Sequence, residues 1–520
     1  MTQHNVYWEH ALEKVPHLLT LLDTNPHSPT FGCFDKRYWH RKTRDYVNAR
    51  MQEGVYTLAL LYTVQHPENK WFSAPFVKEW ALAGMNFWAR IQGRKGGFDE
   101  YLPNEDNYDA TAFSSYAIAR AHELLECRDE SVLNALENAG KFLHAHEEPF
   151  VANHEAGAGA ALQWISIATK KEKYAEWAKK KIENLLINQQ AEGWFSEYNG
   201  FDVGYHTFSL YYLNAYYVAA QHAWTEEALK KAFSFFAYFV HPDCSVGGHY
   251  GSRETYFVLP TPFEQWAQKS ALNGALAHAL RRGLETGALA GPLSFDDRYC
   301  ADALYPFLEC AQLHPVEKKA SLPFQGNDFD EYFEGAGMLV SRHGKYYTIV
   351  NARNGGIGKH FIGEKLAWND TGWVFEQNGT LYCTHGPSIG FNPVKKNEAV
   401  VRGHFYGKKS VLPSPSTLAG LRALNAIGLG SHTKKMVRNK LILDQKPSAF
   451  EFERRIAFTE HGTEVQDSFG KNVPVEKLAL TANFSTLYST SLGLWHSNAT
   501  PIPPPHVEWK GNSACMRVQG

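Results

Sequence analysis

Gly193-Trp-Phe-Ser-Glu-Tyr-Asn-Gly-Phe-Asp-Val-Gly-Tyr-His-Thr-Phe-Ser-Leu-Tyr-Tyr212 is a turn-rich, aromatic and acidic loop that runs straight into an apolar helix. The same design stands earlier in the chain, at Gly97-Phe-Asp-Glu-Tyr-Leu-Pro-Asn-Glu-Asp-Asn-Tyr-Asp-Ala-Thr-Ala-Phe-Ser-Ser-Tyr116. Phe98, Glu100 and Tyr101 answer to Phe195, Glu197 and Tyr198; Phe113, Ser114 and Tyr116 answer to Phe208, Ser209 and Tyr211. A loop built twice, each time opening a buried helix, predicts a repeated helical architecture whose loops line one face. What does not recur is Tyr205-His206, whose counterpart reads Asp109-Ala-Thr.

Outward from these loops, apolar positions at helical spacing predict helices over 6–22, 46–65, 76–91, 110–125, 132–146, 156–169, 174–187, 205–220, 226–239, 263–282 and 297–313. Short polar breaks between them make αα-hairpins, and the repeat favours a ring of hairpins over an irregular bundle.

After Pro315 the pattern changes. Runs of period two, bounded by Gly, Asn and Pro, predict strands over 337–342, 346–351, 379–384, 440–444, 450–458, 463–469, 478–484 and 513–518. Many such strands in series mean an antiparallel sandwich. The fold expected is therefore α+β and multidomain, an N-terminal (α/α) toroid of helical hairpins over 1–315 followed by an antiparallel β-sandwich over 316–520.

Composition narrows the function. The 520 residues are 44% hydrophobic and 20% charged, with a net charge of -2, which argues against a nucleic-acid or anionic-membrane footprint. The aromatic share of 14%, with 14 Trp and 26 Tyr, suits either a carbohydrate cleft or a large aromatic core. The seven cysteines lack CxxC spacing and read as reduced thiols. The N-terminus lacks a signal-peptide pattern and no run of 18 apolar residues occurs. The chain thus reads as cytoplasmic, or as periplasmic or secreted where a leader has been removed.

The inferred toroid plus sandwich, together with the stretches 31–39, 97–116, 151–155, Tyr205-His206, 246–255 and 368–379, resembles the heparinase II/III-like polysaccharide lyase superfamily, which includes uronyl epimerases. The resemblance implies abstraction of the C5 proton of a uronate in an acidic polysaccharide or oligosaccharide, with no cofactor. Such chemistry needs a group that neutralises the uronate carboxylate, a base for the C5 proton, and an acid for the leaving oxygen or the opposite face of C5.

On that resemblance Asn153 and His154 match the element that holds the carboxylate, and Tyr205 matches the catalytic tyrosine. Read alone, Asn153 is an N-cap with Glu155 in a favourable first turn. Tyr205 is otherwise core and His206 a helix-start histidine. Arg253, in the glycine-rich Gly247-Gly-His-Tyr-Gly-Ser-Arg, offers a bidentate grip on a carboxylate or sulfate, or ties down its loop. Tyr108, Glu155, Trp194, Glu197 and His206 complete the candidate substrate contacts. Relatives also bring a histidine from the sandwich in a His-x-Asp setting. Here Asp370 and Gly372 match while Trp368 stands in the histidine's place, so His360, on a loop that Gly355, Gly356 and Gly358 would form toward the toroid, is the expected substitute, with His385 and His404 in reserve. No HxxxH or HExxH spacing occurs and no metal is assigned, although relatives carry a structural ion in the sandwich.

The leading expectation is a lyase acting by β-elimination. The alternatives are a C5-epimerase, a toroid glycoside hydrolase drawing two carboxylates from Asp99, Glu100, Asp109, Glu197 and Asp202, and a non-catalytic carbohydrate-binding relative.

Overall fold

The computed structural model of the chain describes residues 5–198, 200–313, 320–395, 397–408, 414–430, 433, 436–437, 447–481 and 502–519. The chain starts with α1 (Val6–Leu21) and a single turn, α2 (Lys36–Trp39), and then alternates helices of two kinds. α3 (Gly54–Thr63), α5 (Tyr108–Leu125), α7 (Ala152–Thr169) and α9 (Val203–Ala220) are buried nearly all round. Their sequences require it, since apolar or small residues occupy every face. α4 (Pro75–Arg90), α6 (Glu130–Ala145), α8 (Lys173–Ile187) and α10 (Ala223–Phe236) each bury one stripe and give the other to water.

The buried helices form a closed inner ring. α3 packs on α5, α5 on α7, α7 on α9, α9 on α11 (Thr261–Trp266), α11 on α14 (Tyr305–Cys310), and α14 returns to α3. Small residues allow the close approach: a Cβ on Gly157 of α7 would lie 2.4 Å from the Phe113 ring of α5. α12 (Ala271–Glu285) lies outside α11, and α1 packs against α12, α13 (Asp297–Asp302) and α14. The first helix of the chain thus backs the last inner one, and Asn5 Nδ2 donates to Ala311 O at 3.2 Å.

The helix boundaries differ from expectation in three places. The segment 263–282 is two helices, because Ser270 caps a new one by accepting from Asn273 N. The segment 297–313 is also two, divided at Ala303 and Leu304, with Pro306 in the first turn of α14. Within 46–65 the α-helix starts only at Gly54, after a 3₁₀ turn at Ala49–Glu53.

Two antiparallel sheets follow. The first is a meander of β1 (Phe329–Phe333), β2 (Met338–His343), β3 (Tyr346–Asn351), β4 (Ile357–Ile362) and β5 (Lys365–Asp370). Period-two alternation sends Met338, Val340, Tyr347, Ile349 and Phe361 into the toroid core, and Leu339, Val350 and Trp368 against the second sheet. The second sheet runs β12 (Ala479–Leu480), β6 (Trp373–Gln377), β7 (Thr380–Cys383), β9 (Glu398–Lys408), β10 (Pro447–Thr459), β11 (Gly462–Phe469), β14 (Ser513–Val518), β13 (Val507–Lys510), with β8 (Ser388–Lys395) paired to β9. At its centre Arg454 bonds Asp467 and Asp370, each at 2.7 Å. The strand expected at 440–444 and the end of that at 478–484 lie outside the described residues.

Between β9 and β10 the chain leaves the sheet and forms α15 (Pro415–Ala426), which the sequence reading missed. α15 reaches the toroid loops, where Arg422 pairs with Asp45 and Asn425 Nδ2 donates to Pro103 O at 3.4 Å. Among the described residues no helix is long and apolar enough to cross a membrane.

Candidate functional site

The N-terminal ends of α5, α7 and α9 meet at one mouth of the ring. Val151 bridges Glu197 in a short antiparallel contact, Tyr198 N donates to Phe150 O at 3.2 Å, and His154 Nε2 lies 3.8 Å from Asp109 Oδ2. Val151 is the N-cap residue of α7, so Asn153 sits inside the first turn and its side chain is released for another task. Asn153 Nδ2 donates to Glu197 Oε1 at 2.7 Å, with both residues buried. Burial pushes the Glu197 carboxyl up to about 8; nearby Asp202 raises it further, while Asn153 and Arg253 pull against the rise.

Asp202 organises the second side. As the N-cap of α9 it accepts from Tyr205 N at 3.1 Å, and it also accepts from Arg253 N at 3.0 Å, Thr255 N at 3.3 Å and the Thr255 hydroxyl. One carboxylate therefore fixes both the helix that carries Tyr205 and the loop that carries Arg253. The Arg253 guanidinium lies over the Tyr198 ring, 4.5 Å from its centroid. Tyr205 is half-buried, and its ring packs edge-on to Phe257 at 6.2 Å. Burial raises the Tyr198 phenol, and the Glu197, Asp109 and Tyr205 groups around it add to the rise. Tyr198 thus stands among Glu197, Arg253, Asp109 and Tyr205. Tyr198 and Glu254 adopt left-handed backbone, φ 51° and 55°, a strain that surrounding structure must hold.

Other candidates lie apart from this group. Glu155 accepts from Glu148 N at 2.6 Å and pairs with Lys181 at 3.2 Å, while the Lys181 ammonium sits 5.3 Å from the Tyr108 ring centroid. Tyr108 and Glu155 therefore latch α5 and α7 to outer helix α8. Trp194 is buried, stacks on Phe235 and donates to Glu192 at 2.7 Å. His206, expected among the substrate contacts, is instead a core residue. One position beyond Tyr205 on the helix, it turns into Phe195, Phe201, Phe235 and Phe236, and burial lowers it to about 4.

The sandwich histidine also needs correction. Gly355 and Gly356, both with positive φ, make the turn, and 357–362 is strand β4 where a loop was expected. Alternation puts His360 on the face toward the second sheet, stacked on Trp368 at 4.9 Å, where burial lowers it to about 3. His360 therefore cannot reach the toroid. Its neighbour Lys359 does: a Cβ on Gly248 would lie 2.7 Å from Lys359 Cε, and its Nζ sits 5.1 Å from the Tyr256 ring centroid. Burial lowers Lys359 to about 8, with Asp243 opposing. Of the reserves, His385 approaches the glycine-rich loop, its Nε2 lying 3.3 Å from Glu254 Oε1, whereas His404 belongs to β9 in the outer sheet. On the toroid side His249 faces the same carboxylate at 4.0 Å. Sequence reasoning missed Asp202 as an organiser, Tyr198, and Lys359. The signal for Lys359 was its place in the alternation Ile357, Lys359, Phe361.

No family model matches the chain, and no curated protein matches it. Solved structures do. Chondroitin AC lyase from Streptomyces coelicolor A3, solved in complex with chondroitin sulphate, aligns with TM-score 0.55 and 12% identity over 92% of this chain and 66% of its own. Paenibacillus xanthan lyase aligns with TM-score 0.54 and 10% identity over 90% of this chain and 46% of its own. Heparinase III aligns at TM-score 0.47 and 10% identity, covering 90% of this chain and 76% of its own. The chain thus spans just under two thirds of the first of these lyases and under half of the second. In fold, it is a helical toroid joined to an antiparallel sheet domain, similar to the chondroitin AC and xanthan lyases.

Proposed function

We propose that the protein is a polysaccharide lyase that cleaves a uronate-containing chain by β-elimination. The observation that carries this reading is the pairing of Asn153 with Glu197 beside Arg253, Tyr198 and Tyr205. An amide, a carboxyl held protonated at neutral pH and a guanidinium converge where a uronate carboxylate must be neutralised before C5 can lose its proton. In the proposed reaction His154 takes the C5 proton and Asp109, 3.8 Å away, balances the imidazolium. The electron pair left at C5 forms the C4–C5 double bond, the C4–O bond breaks, and Tyr205 gives its phenolic proton to the departing oxygen.

The loop acids support this reading over hydrolysis. Asp99 accepts from the backbone N–H groups of Asn104, Glu105 and Asp106, and Asp202 is engaged as described. These carboxylates serve as backbone caps rather than as an acid and nucleophile facing a glycosidic bond.

The test is incubation with chondroitin sulphate, heparan sulphate and xanthan while following the absorbance of an unsaturated uronate, repeated in heavy water. New absorbance is expected. Deuterium at C5 without absorbance would make the protein an epimerase, and new reducing ends with neither would make it a hydrolase.

A further inference from the structure

The chain between β9 and β10 does more than join two neighbouring strands. Tyr406 of β9 and Pro447 of β10 are already paired, so a short hairpin turn would connect them, yet residues 409–446 make a 38-residue excursion instead. A connection that long inside a compact domain is usually functional. No core explains its helix α15: of its residues only Asn425 is buried, while Leu418 and Leu424 stand 40% and 37% exposed. A lone helix of this length is marginal in water, so what orders α15 is the surface on which it rests.

Root and resting place lie on opposite walls of the toroid mouth. At the root the Tyr406 hydroxyl donates to Pro387 O at 2.7 Å, and two residues before Pro387 the His385 Nε2 lies 3.3 Å from Glu254 Oε1, in the loop that precedes α11. At the far end Arg422 pairs with Asp45 before α3, and Asn425 Nδ2 donates to Pro103 O at 3.4 Å. Gly430 is pressed so closely on the loop before α5 that an added Cβ would lie 2.9 Å from Glu105 Cα. In the inner ring α11 stands across from α5, with α7 and α9 between them on one side and α14 and α3 on the other. An arm rooted beside the α11 loop and pinned to the α3 and α5 loops bridges the mouth where Asn153, Glu197 and Tyr205 meet.

The sequence of the arm fits an acidic guest. Between Glu398 and Asp444 there is no Asp or Glu and there are eight Lys and Arg, while the rest of the chain is net acidic. A basic bridge draws a polyanion to the point of entry. We propose that the β9–β10 arm encloses the mouth, so that an acidic polysaccharide enters by a chain end and is cut from that end, not at internal linkages. The cutting rests on the lyase reading; entry by the end does not.

The test counts protein molecules bound per polymer chain by analytical ultracentrifugation, on chondroitin sulphate and heparan sulphate fractionated by length, using the Tyr205→Phe protein so that the chains stay whole. End entry predicts a count that stays constant as chain length doubles. Two arm variants in the same background should make the count double with the chain. One replaces 409–446 by an Asn-Gly turn between the paired strands. The other, Gly430→Leu, wedges the arm from the Glu105 backbone and leaves the sheet whole, so it decides the matter where the deletion does not fold. A count that rises with length while the arm is intact overturns the proposal, as do two variants whose count stays constant and a protein that binds neither polymer. With Tyr205 restored, the intact arm should give short unsaturated products with little early fall in viscosity; a sharp early fall overturns end entry. Counts as expected without unsaturated product from either polymer end the lyase reading alone.

Discussion

Asn153 Nδ2 donates to the Glu197 carboxyl at 2.7 Å, joining the first turn of α7 to the loop that opens α9. Burial lifts that carboxyl from its ordinary 4.5 to about 8. The folded protein keeps a proton that the unfolded chain releases, so the Glu197 contribution to stability is complete below the ordinary value and is lost as pH rises through 8. Thermal unfolding between about pH 5 and 9 should show this decline in the wild type and lose it in Glu197→Gln. On the proposed lyase reaction the activity should fall over the same upper limb, because an ionised Glu197 would repel a substrate carboxylate. An identical stability profile in the glutamine variant would remove Glu197 as the titrating group.

Tyr205 and Asp202 separate chemistry from architecture. Tyr205 is half-buried and sits in the first turn of α9, so Tyr205→Phe removes one oxygen and should abolish turnover with an unchanged melting temperature. Asn153→Ala should also abolish turnover and leave folding intact. Asp202→Ala is different, because it strips a cap from Tyr205 N and leaves Arg253 N and Thr255 N without their acceptor. It should cost at least about 1–2 kcal/mol of stability together with the activity. Urea unfolding beside steady-state rates distinguishes these patterns. Full turnover in Tyr205→Phe would take the proton-donor role from it.

His360 lies against Trp368 inside the sheet domain, neutral and turned from the toroid. His360→Phe keeps a flat ring of similar size in that slot, so turnover should remain within about twofold of wild type. A loss of a hundredfold or more, with the fold intact by circular dichroism, would return this histidine to the mechanism.

The elements that could be read from the sequence and those that could not divide along physical lines. The helices buried all round and their amphipathic partners announce themselves by composition at 3.6-residue spacing, and the repeated Phe-x-Glu-Tyr loops marked the mouth where Asn153, Glu197 and Tyr205 meet. The closure of the ring was not legible, since α11 and α14 have only six residues each and α1 reaches α14 from the other end of the chain. His360 was misplaced because glycine spacing reads as a loop, whereas the face on which a strand residue points depends on a register that β3 and β5 supply. Arg298, which donates to Glu100 at 2.7 Å and to the Tyr101 hydroxyl at 3.2 Å, was invisible for another reason: its partners are far away in sequence, and no local pattern ties them together.

Lys359 provides the sharpest test of that register. Buried on the toroid-facing side of β4, its ammonium is lowered from the ordinary 10.5 to about 8, burial outweighing the pull of Asp243. Around it stand His241 and His249, both held neutral by burial, and the Tyr256 ring. The unfolded chain keeps a proton that the folded protein has shed between these two values. The charge therefore costs stability in full below about pH 8, and the cost is relieved as pH climbs toward the ordinary value. A depression of that size corresponds to about 3 kcal/mol. Lys359→Met, with a similar stem and no charge, should thus be more stable than wild type at pH 7 by up to about 3 kcal/mol, an advantage that shrinks above pH 8. Urea unfolding at neutral and alkaline pH reads this directly. If the methionine variant is the weaker at pH 7, the ammonium is a net anchor between the sheet and the glycine-rich loop, and the cost assigned to its burial is wrong.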